Sequence, residues 1–480
     1  MSTSTQLRVL VVGASIAGPA AAYWFARAGA KVTVIERFPQ LRTNGQAVDI
    51  RTVGVTVMRK MAGMEAAVRA KLAPIKGISL VDTAGRPFAT IQPTGNPDQQ
   101  SIVSEYEILR GDLSKILFDL TKNNPNITYI FGEQISSIQY HSPDDTNSPV
   151  TVTFTNGHLS PTVFDLIVAC DGAASRTRAL AFDCPVRAHT HAINAWTASF
   201  TIPTDLLNGS TTGQCHSAPG GRFMAFGPDK QPGTNRVTVM GIYSRKDSDA
   251  MIPFREAQKQ GEAALRQFVV DFFLPSPNPT TTTIDSDLFT SKPAAGPNQS
   301  SVWPLTPQIL TPLLTSTAPA QDFHASELLQ VKPLSLHRGR IVLVGDAGYA
   351  PGPTGAGTSL ALAGAYVLAG EISRQIHLQR LEGRHHQGNA GEGGRDVRLD
   401  LEAALRRYEE VMKPIVEQGQ TVPWFVPGVM APQTRLGLWV RNVVLWAVCG
   451  TGGLGWVQRW AGWAFAKREE GGLPEFEWDN

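Results

Sequence analysis

Three glycine-bearing turns, each directly after a short apolar run, hold the residues of this chain best suited to chemistry. The first is Gly13-Ala-Ser15-Ile16-Ala17-Gly18, following the run that ends at Val12. Gly13 allows a tight turn and Gly18 lets a helix press on the preceding strand. The backbone at Ser15, Ile16 and Ala17 opens that helix and offers free N–H groups and a positive dipole end to a pyrophosphate. Ser15 replaces the usual second glycine, so phosphates approach less closely. Glu36 lies 18 residues past Gly18, at the end of the next β-branched run. A carboxylate there can accept both hydroxyls of a ribose. Strand, turn, helix and acid together point to a dinucleotide.

The second turn is Asp171-Gly-Ala-Ala-Ser175-Arg-Thr-Arg178. The third runs from Gly345 and Asp346 through Pro351, Pro353, Gly355, Ala356 and Gly357 to Thr358, and seven glycines fall between Gly345 and Gly370. Short side chains let a backbone turn and a helix start press against a flat ligand.

The elements that must position these turns are legible in part. Leu7–Val12 and Lys31–Glu36 read as strands around an Ala-rich helix from Ala17 to Ala30, a β-α-β unit implying a parallel sheet. Further strands are expected at Thr128–Phe131, Val150–Phe154, Asp165–Cys170 and Arg340–Val344. Helices are expected at Arg110–Asn123, Thr358–Leu378 and Asp400–Met412, the last stopping short of Pro414. Alternating segments around Ile78–Ile91 and His191–Tyr243 predict antiparallel sheet, and Pro275–Gln321 an irregular cover for it.

With 43 basic and 41 acidic residues in 480, net charge is +2, which argues against nucleic-acid binding. Apolar residues make up 42%, enough for two or three domains of ~150 residues each. Cys170, Cys184, Cys215 and Cys449 form no C-x-x-C pair, so neither disulfides nor a metal site is expected. His385 and His386 read as part of a solvated loop. The polar start Met1–Gln6 lacks a signal-type segment, and a cytoplasmic location is expected.

GASIAG at 13–18, Glu36-Arg37, GQAVDIR at 45–51, EILRGDL at 107–113, DGAASRTR at 171–178 and the run from Gly345 to Glu371 occur in one order. In these motifs the chain resembles the group A flavin-dependent monooxygenases, the para-hydroxybenzoate hydroxylase-like family. The wording is closest to the tetracycline-degrading branch and fungal secondary-metabolism relatives. The resemblance implies an α/β chain: an interrupted Rossmann-type FAD-binding domain (1–76, 103–186, 322–430), an inserted antiparallel β-sheet substrate domain (77–102, 187–321) and a C-terminal helical segment (431–480). It implies that Glu36 holds the adenosine ribose, with Arg37 near the adenine. Arg110 contacts the FAD chain, and Val48 and Asp49 lie near ribityl and flavin. Asp346 bonds the ribityl or pyrophosphate portion, and the turn from Pro351 to Thr358 places a helix start at the flavin pyrimidine edge. Asp171 would serve FAD, and Arg178 the docking of NADPH or NADH. Two departures stand out: Gly364 where many relatives have Asp, and Thr358-Ser359 where many have a Gly-Asn-like pair.

The resemblance further implies that NADPH or NADH reduces FAD and that O2 then supplies one oxygen atom to a small lipophilic substrate. Hydroxylation, epoxidation and Baeyer–Villiger oxidation stay open, as do an oxidase or reductase without oxygen insertion and a non-catalytic FAD-fold binding module. A halogenase is disfavoured because no W-x-W-x-I-P segment occurs. On the inserted sheet, Arg222, Met224 and Phe226 alternate and share a face. Arg222 is the expected catalytic or steering cation there, with Met224, Phe226, Tyr243 and Pro351 lining the substrate pocket. His189, His191, His216 and Tyr243 are the acid–base candidates. Seven of ten tryptophans fall in the last 57 residues. Inter-domain packing, peripheral membrane contact and a dimer contact all account for them, so oligomeric state stays open.

Overall fold

The computed structural model describes residues 6–42, 45–96, 103–141, 148–244, 247, 249–274, 303–314, 322–386, 400–422, 428, 430–450 and 472–478. In chain order its strands are β1 (Arg8–Val12), β2 (Lys31–Glu36), β3 (Ala47–Asp49), β4 (Gly77–Val81), β5 (Pro87–Ile91), β6 (Glu107–Leu109), β7 (Ile127–Phe131), β8 (Ile135–Tyr140) and β9 (Val150–Phe154). They continue as β10 (Thr162–Phe164), β11 (Leu166–Ala169), β12 (Thr190–Ile202), β13 (Thr212–Ala218), β14 (Arg222–Pro228), β15 (Asn235–Ile242), β16 (His324–Val331), β17 (His337–Arg338) and β18 (Ile341–Leu343).

β1 is apolar from Val9 to Val12 because both of its faces are covered. It lies within a six-stranded sheet ordered β17-β18-β11-β1-β2-β7, parallel except for β17 at one edge. The helix Ala17–Arg27 makes the β1–β2 crossover, and its alanines let the long helix Gly357–His386 pack beside it. All three glycine turns therefore leave strand ends of one sheet: β1, β11 and β18. Ligands of open parallel sheets collect at that carboxyl edge.

Val150–Phe154 is a strand as expected, the middle one of a separate antiparallel sheet, β10-β9-β8. One local expectation fails for an identifiable reason. The helix expected to stop before Pro414 runs on, as Leu401–Gly419. Tyr408, Met412 and Val416, one turn apart, are all buried, and packing of that stripe outweighs the proline.

The inserted unit is a seven-stranded sheet ordered β16-β12-β15-β14-β13-β4-β5, antiparallel except at β13–β4. The helices Ile252–Gln260, Glu262–Phe273 and Thr306–Leu310 cover one of its faces, burying Phe254, Val269, Phe273 and Ile309 against Trp196, Phe200, Val237 and Val239. The other face turns toward the parallel-sheet unit, where the Arg236 guanidinium donates to the Gly45 carbonyl at 2.5 Å.

The C-terminal helix Arg435–Gly450 docks through Arg441, which donates to Ser217 Oγ at 2.9 Å. Residues 472–478 pack on the parallel-sheet unit, with Trp478 4.7 Å from the Trp24 ring and Phe476 against Tyr366. These seven residues pack on that one unit, while Trp439 and Trp446 of the helix Arg435–Gly450 are exposed. Trp424, Trp456, Trp460 and Trp463, and the side chains of His385, His386 and Cys449, lie outside the described residues. No helix among the described residues is long and apolar enough to cross a membrane.

Candidate functional site

Gly13 holds φ +105°, and a Cβ there would lie 2.5 Å from the Cys170 carbonyl oxygen. A Cβ at Gly18 would fall 1.8 Å from the Gly13 oxygen. Backbone thus fills both positions, and neither tolerates a side chain. The Glu36 carboxylate accepts from the Ala14 N–H at 2.9 Å and from the Phe38 N–H at 3.1 Å, which fixes it beside the turn. Ser114 Oγ braces the turn by donating to the Ser15 carbonyl at 3.0 Å.

Ala14, Ser15, Glu36, Arg42, Arg110 and Ser114 line one groove. It adjoins a second of about 360 Å³ reaching Phe38, Gly45 and His324. Arg37 is exposed at the outer side, its guanidinium over the Phe38 ring. Burial, then the neighbouring Arg110, holds the Arg42 guanidinium below its ordinary range. Burial, then Arg110 and Arg42, holds His324 low as well. Such mutual repulsion of cations marks a site suited to a polyanion.

The third turn meets β3. A Cβ at Gly355 (φ +76°) would lie 3.5 Å from Asp49 Oδ2, and one at Gly357 would lie 3.6 Å from Asp346 Oδ1 and the Pro351 ring. Asp49 pairs with Arg51 at 3.0 Å, and the Arg51 N–H donates to Ser359 Oγ at 2.9 Å. Val48, Asp49, Asp346, Pro351, Pro353, Gly355, Ala356, Gly357 and Thr358 are therefore brought together around the start of the Gly357–His386 helix. Asp346 faces solvent in this groove, yet the protein crowded around it raises its carboxyl, with Arg110 pulling the other way. Burial raises Asp49 too, against Arg51.

The second turn departs from expectation. Arg178 is not a surface docking residue: it is wholly buried and donates to the carbonyls of Ala347, Ala173 and Val186 at 2.7, 2.9 and 2.7 Å. Asp171 is likewise committed, accepting from Ser175 Oγ at 2.5 Å and from the Thr177 N–H and hydroxyl at 3.1 and 3.0 Å. The DGAASRTR segment clamps the second turn to the third, and the sequence motif itself does not distinguish a brace from a contact.

The sheet face also needs correction. Met224 and Phe226 belong to the helix-covered core, although Phe226 also contributes to the lining of the cleft between the units. Arg222 shares their face, donating to the carbonyls of Phe272 and Pro219 with its guanidinium over the Phe272 ring. Tyr243 accepts from Trp196 Nε1 at 3.2 Å on the same side. His216 stacks on Trp303 there, and burial drives it to about 4. Alternation establishes that these residues share a face but not which face is covered. The opposite parity, Phe223, Ala225, Thr238 and Met240 in register across β14 and β15, turns toward the parallel-sheet unit.

Between the two units lies a cleft of about 180 Å³, lined by Ala47, Ile75, Glu107 and Leu109 on one side and by Ala225, Arg236 and Thr238 on the other. Arg51 and Glu107 lie inside the GQAVDIR and EILRGDL segments, whose wording does not mark them as cleft residues, and Arg236 lies in none of the motifs.

The architecture is that of a two-unit flavoprotein. The family model described as "FAD binding domain" matches residues 6–287, and the chain belongs to the group A flavin-dependent monooxygenases of that family. It is 30% identical over 447 residues to an FAD-dependent monooxygenase of Sarocladium schorii, covering 92% of each chain. It is 29% identical over 457 residues to a monooxygenase of Cercospora beticola, covering 94% of each. Among solved structures it is similar to the tetracycline destructase Tet(55), with TM-score 0.67, 26% identity and coverage of 98% and 99%. The protein is an FAD-dependent monooxygenase.

The residues present fit FAD. The glycine cradle that any Cβ would fill, the fixed Glu36 carboxylate and the cationic groove at Arg42 and Arg110 match ribose and pyrophosphate. Gly18→Ala is expected to weaken FAD binding by at least about tenfold, since displacing the Gly13 oxygen disturbs the N–H groups that would meet phosphate. Fluorescence titration with FAD measures this.

Proposed function

We propose that this monooxygenase consumes NADPH or NADH and O2 to place one oxygen atom on a small lipophilic organic substrate. The observation that carries the reading is the cleft between the β3–β6 pair and the inserted sheet. Its lining is mostly apolar, with Glu107, Arg236 and Thr238 converging on it. Bound FAD supplies the electron transfer and oxygen activation; the chain supplies placement, charge and dryness.

Glu36 holds the ribose, and Arg110 and Arg42 neutralise the pyrophosphate. The N-terminus of the Gly357–His386 helix stabilises negative charge at the group it faces, because its N–H groups have no intrahelical partner. Ala225 and Thr238 form part of the opposite wall. Only one Gly-rich β-α-β unit is found among the described residues, so the nicotinamide cofactor docks transiently. Arg178, being buried, has no part in that docking. Similarity to fungal monooxygenases favours a place in secondary metabolism.

The experiment supplies 18O2, NADPH and a panel of small lipophilic aromatic compounds to the FAD-loaded protein. A product gaining one labelled oxygen is expected. NADPH oxidation that yields only hydrogen peroxide across the panel would establish an oxidase instead.

A further inference from the structure

Glu107 lies on β6, and its backbone pairs with Asp49 of β3. Its side chain lines the inter-unit cleft beside Ile75, Leu109 and Thr238. The other charged groups of that lining are already engaged. Arg236 donates to Asp322 at 2.6 Å and to the Gly45 carbonyl. Lys230 is tied to Asp112 and to the Lys71 carbonyl, and Asp229 accepts from Thr234 Oγ1 at 3.1 Å. The Glu107 carboxyl has no hydrogen-bond or ion-pair partner among the described residues.

The groups facing it favour its neutral form. Asp49 and Arg51 stand across the ladder, and Arg51 is paired with Asp49. Two carboxylates thus share one cation in a confined space, and like charges that close do not both ionise cheaply. Burial, then Asp49, pushes Glu107 up to about 7 against the pull of Arg51. A carboxylic acid kept protonated in an apolar cleft is a hydrogen-bond donor, whereas a carboxylate only accepts.

We propose that Glu107 orients the substrate, its protonated carboxyl donating a hydrogen bond to a neutral carbonyl or phenolic oxygen of an aromatic compound in the cleft. This rests on the monooxygenase reading above and narrows its substrate class: neutral, oxygen-bearing aromatics are bound, and carboxylate substrates are rejected.

Xanthone, an aromatic ketone with no group that titrates near neutrality, serves as the probe. Its binding to the FAD-loaded protein is followed by the flavin absorbance change. Between about pH 6 and about pH 8 wild-type affinity is expected to fall about tenfold as Glu107 ionises. Glu107→Gln, which keeps a neutral donor, should hold the low-pH affinity at both pH values. In parallel, infrared difference spectra should show a protonated carboxyl band that titrates near neutrality in wild type and is missing from Glu107→Gln.

An unchanged pH dependence in Glu107→Gln overturns the proposal, and so does failure of xanthone to bind at any pH. Should the variant lose FAD, the wild-type infrared titration decides: no such band means no neutral Glu107. Loss of oxygen insertion with an intact Glu107 band would count against the monooxygenase reading instead.

Discussion

Arg178→Ala destabilises the FAD-loaded protein by about 1–3 kcal/mol for each buried carbonyl left unpaired, and leaves the KM for NADPH unchanged in the protein that remains folded. The guanidinium is wholly buried and satisfies three carbonyls from three segments: Ala173 in the second turn, Val186 beyond the helix Arg176–Phe182, and Ala347 in the third turn. Removing it takes the donor from three carbonyls at once. Lysine carries the charge but not the planar fork, so Arg178→Lys recovers only part of the loss. Urea denaturation measures the stability, and steady-state kinetics the KM. Wild-type stability with a KM raised tenfold would restore Arg178 to a surface docking role.

The second large effect is at Gly364. A Cβ there would sit 1.8 Å from Tyr349 Oη and 3.4 Å from Tyr408 Oη. Those two hydroxyls lie 3.2 Å apart, and Tyr408 donates onward to the Leu343 carbonyl at 2.8 Å. Tyr349 thus occupies the volume that a side chain at 364 would need. Gly364→Ala overpacks this core by about 1–3 kcal/mol. Gly364→Asp costs more, because it also buries a carboxylate. Adding Tyr349→Phe removes the closest clashing atom and should recover part of the Gly364→Ala loss, read as Tm of the FAD-loaded protein. Equal Tm for Gly364→Ala and wild type would contradict this packing.

Local chemistry made the parallel sheet and its glycine turns legible from residues alone. β2 and β9 fall at the expected residues, and β1, β7, β11 and β18 within one residue at each end. A continuous apolar run followed by glycine has few other solutions. Helix Leu401–Gly419 ran past Pro414 because its buried stripe is a tertiary fact that propensity does not see.

The candidate site divided along the same line. Glu36, Arg110 and the Gly345–Thr358 turn gather as their motifs imply, since each follows its strand by a fixed short distance. Arg178 and Asp171 carry family wording, yet they spend their polar atoms on backbone. The inserted sheet misled most. Its period of two sorted Arg222, Met224 and Phe226 correctly onto one face, but three helices from 252–273 and 306–310 determine which face is core. Glu107 and Arg51 were hidden for another reason: their significance comes from a two-stranded pairing, Asp49 opposite Glu107, between segments nearly sixty residues apart.

The central claim is that the first and third turns form one FAD site, braced by the second. Its most direct measurement is the flavin content of the purified protein, with reconstitution of any apoprotein by added FAD. About one FAD per chain is predicted for wild type, with a sharp loss in Gly18→Ala. Wild-type protein that is colourless and takes up no FAD on reconstitution would contradict the account.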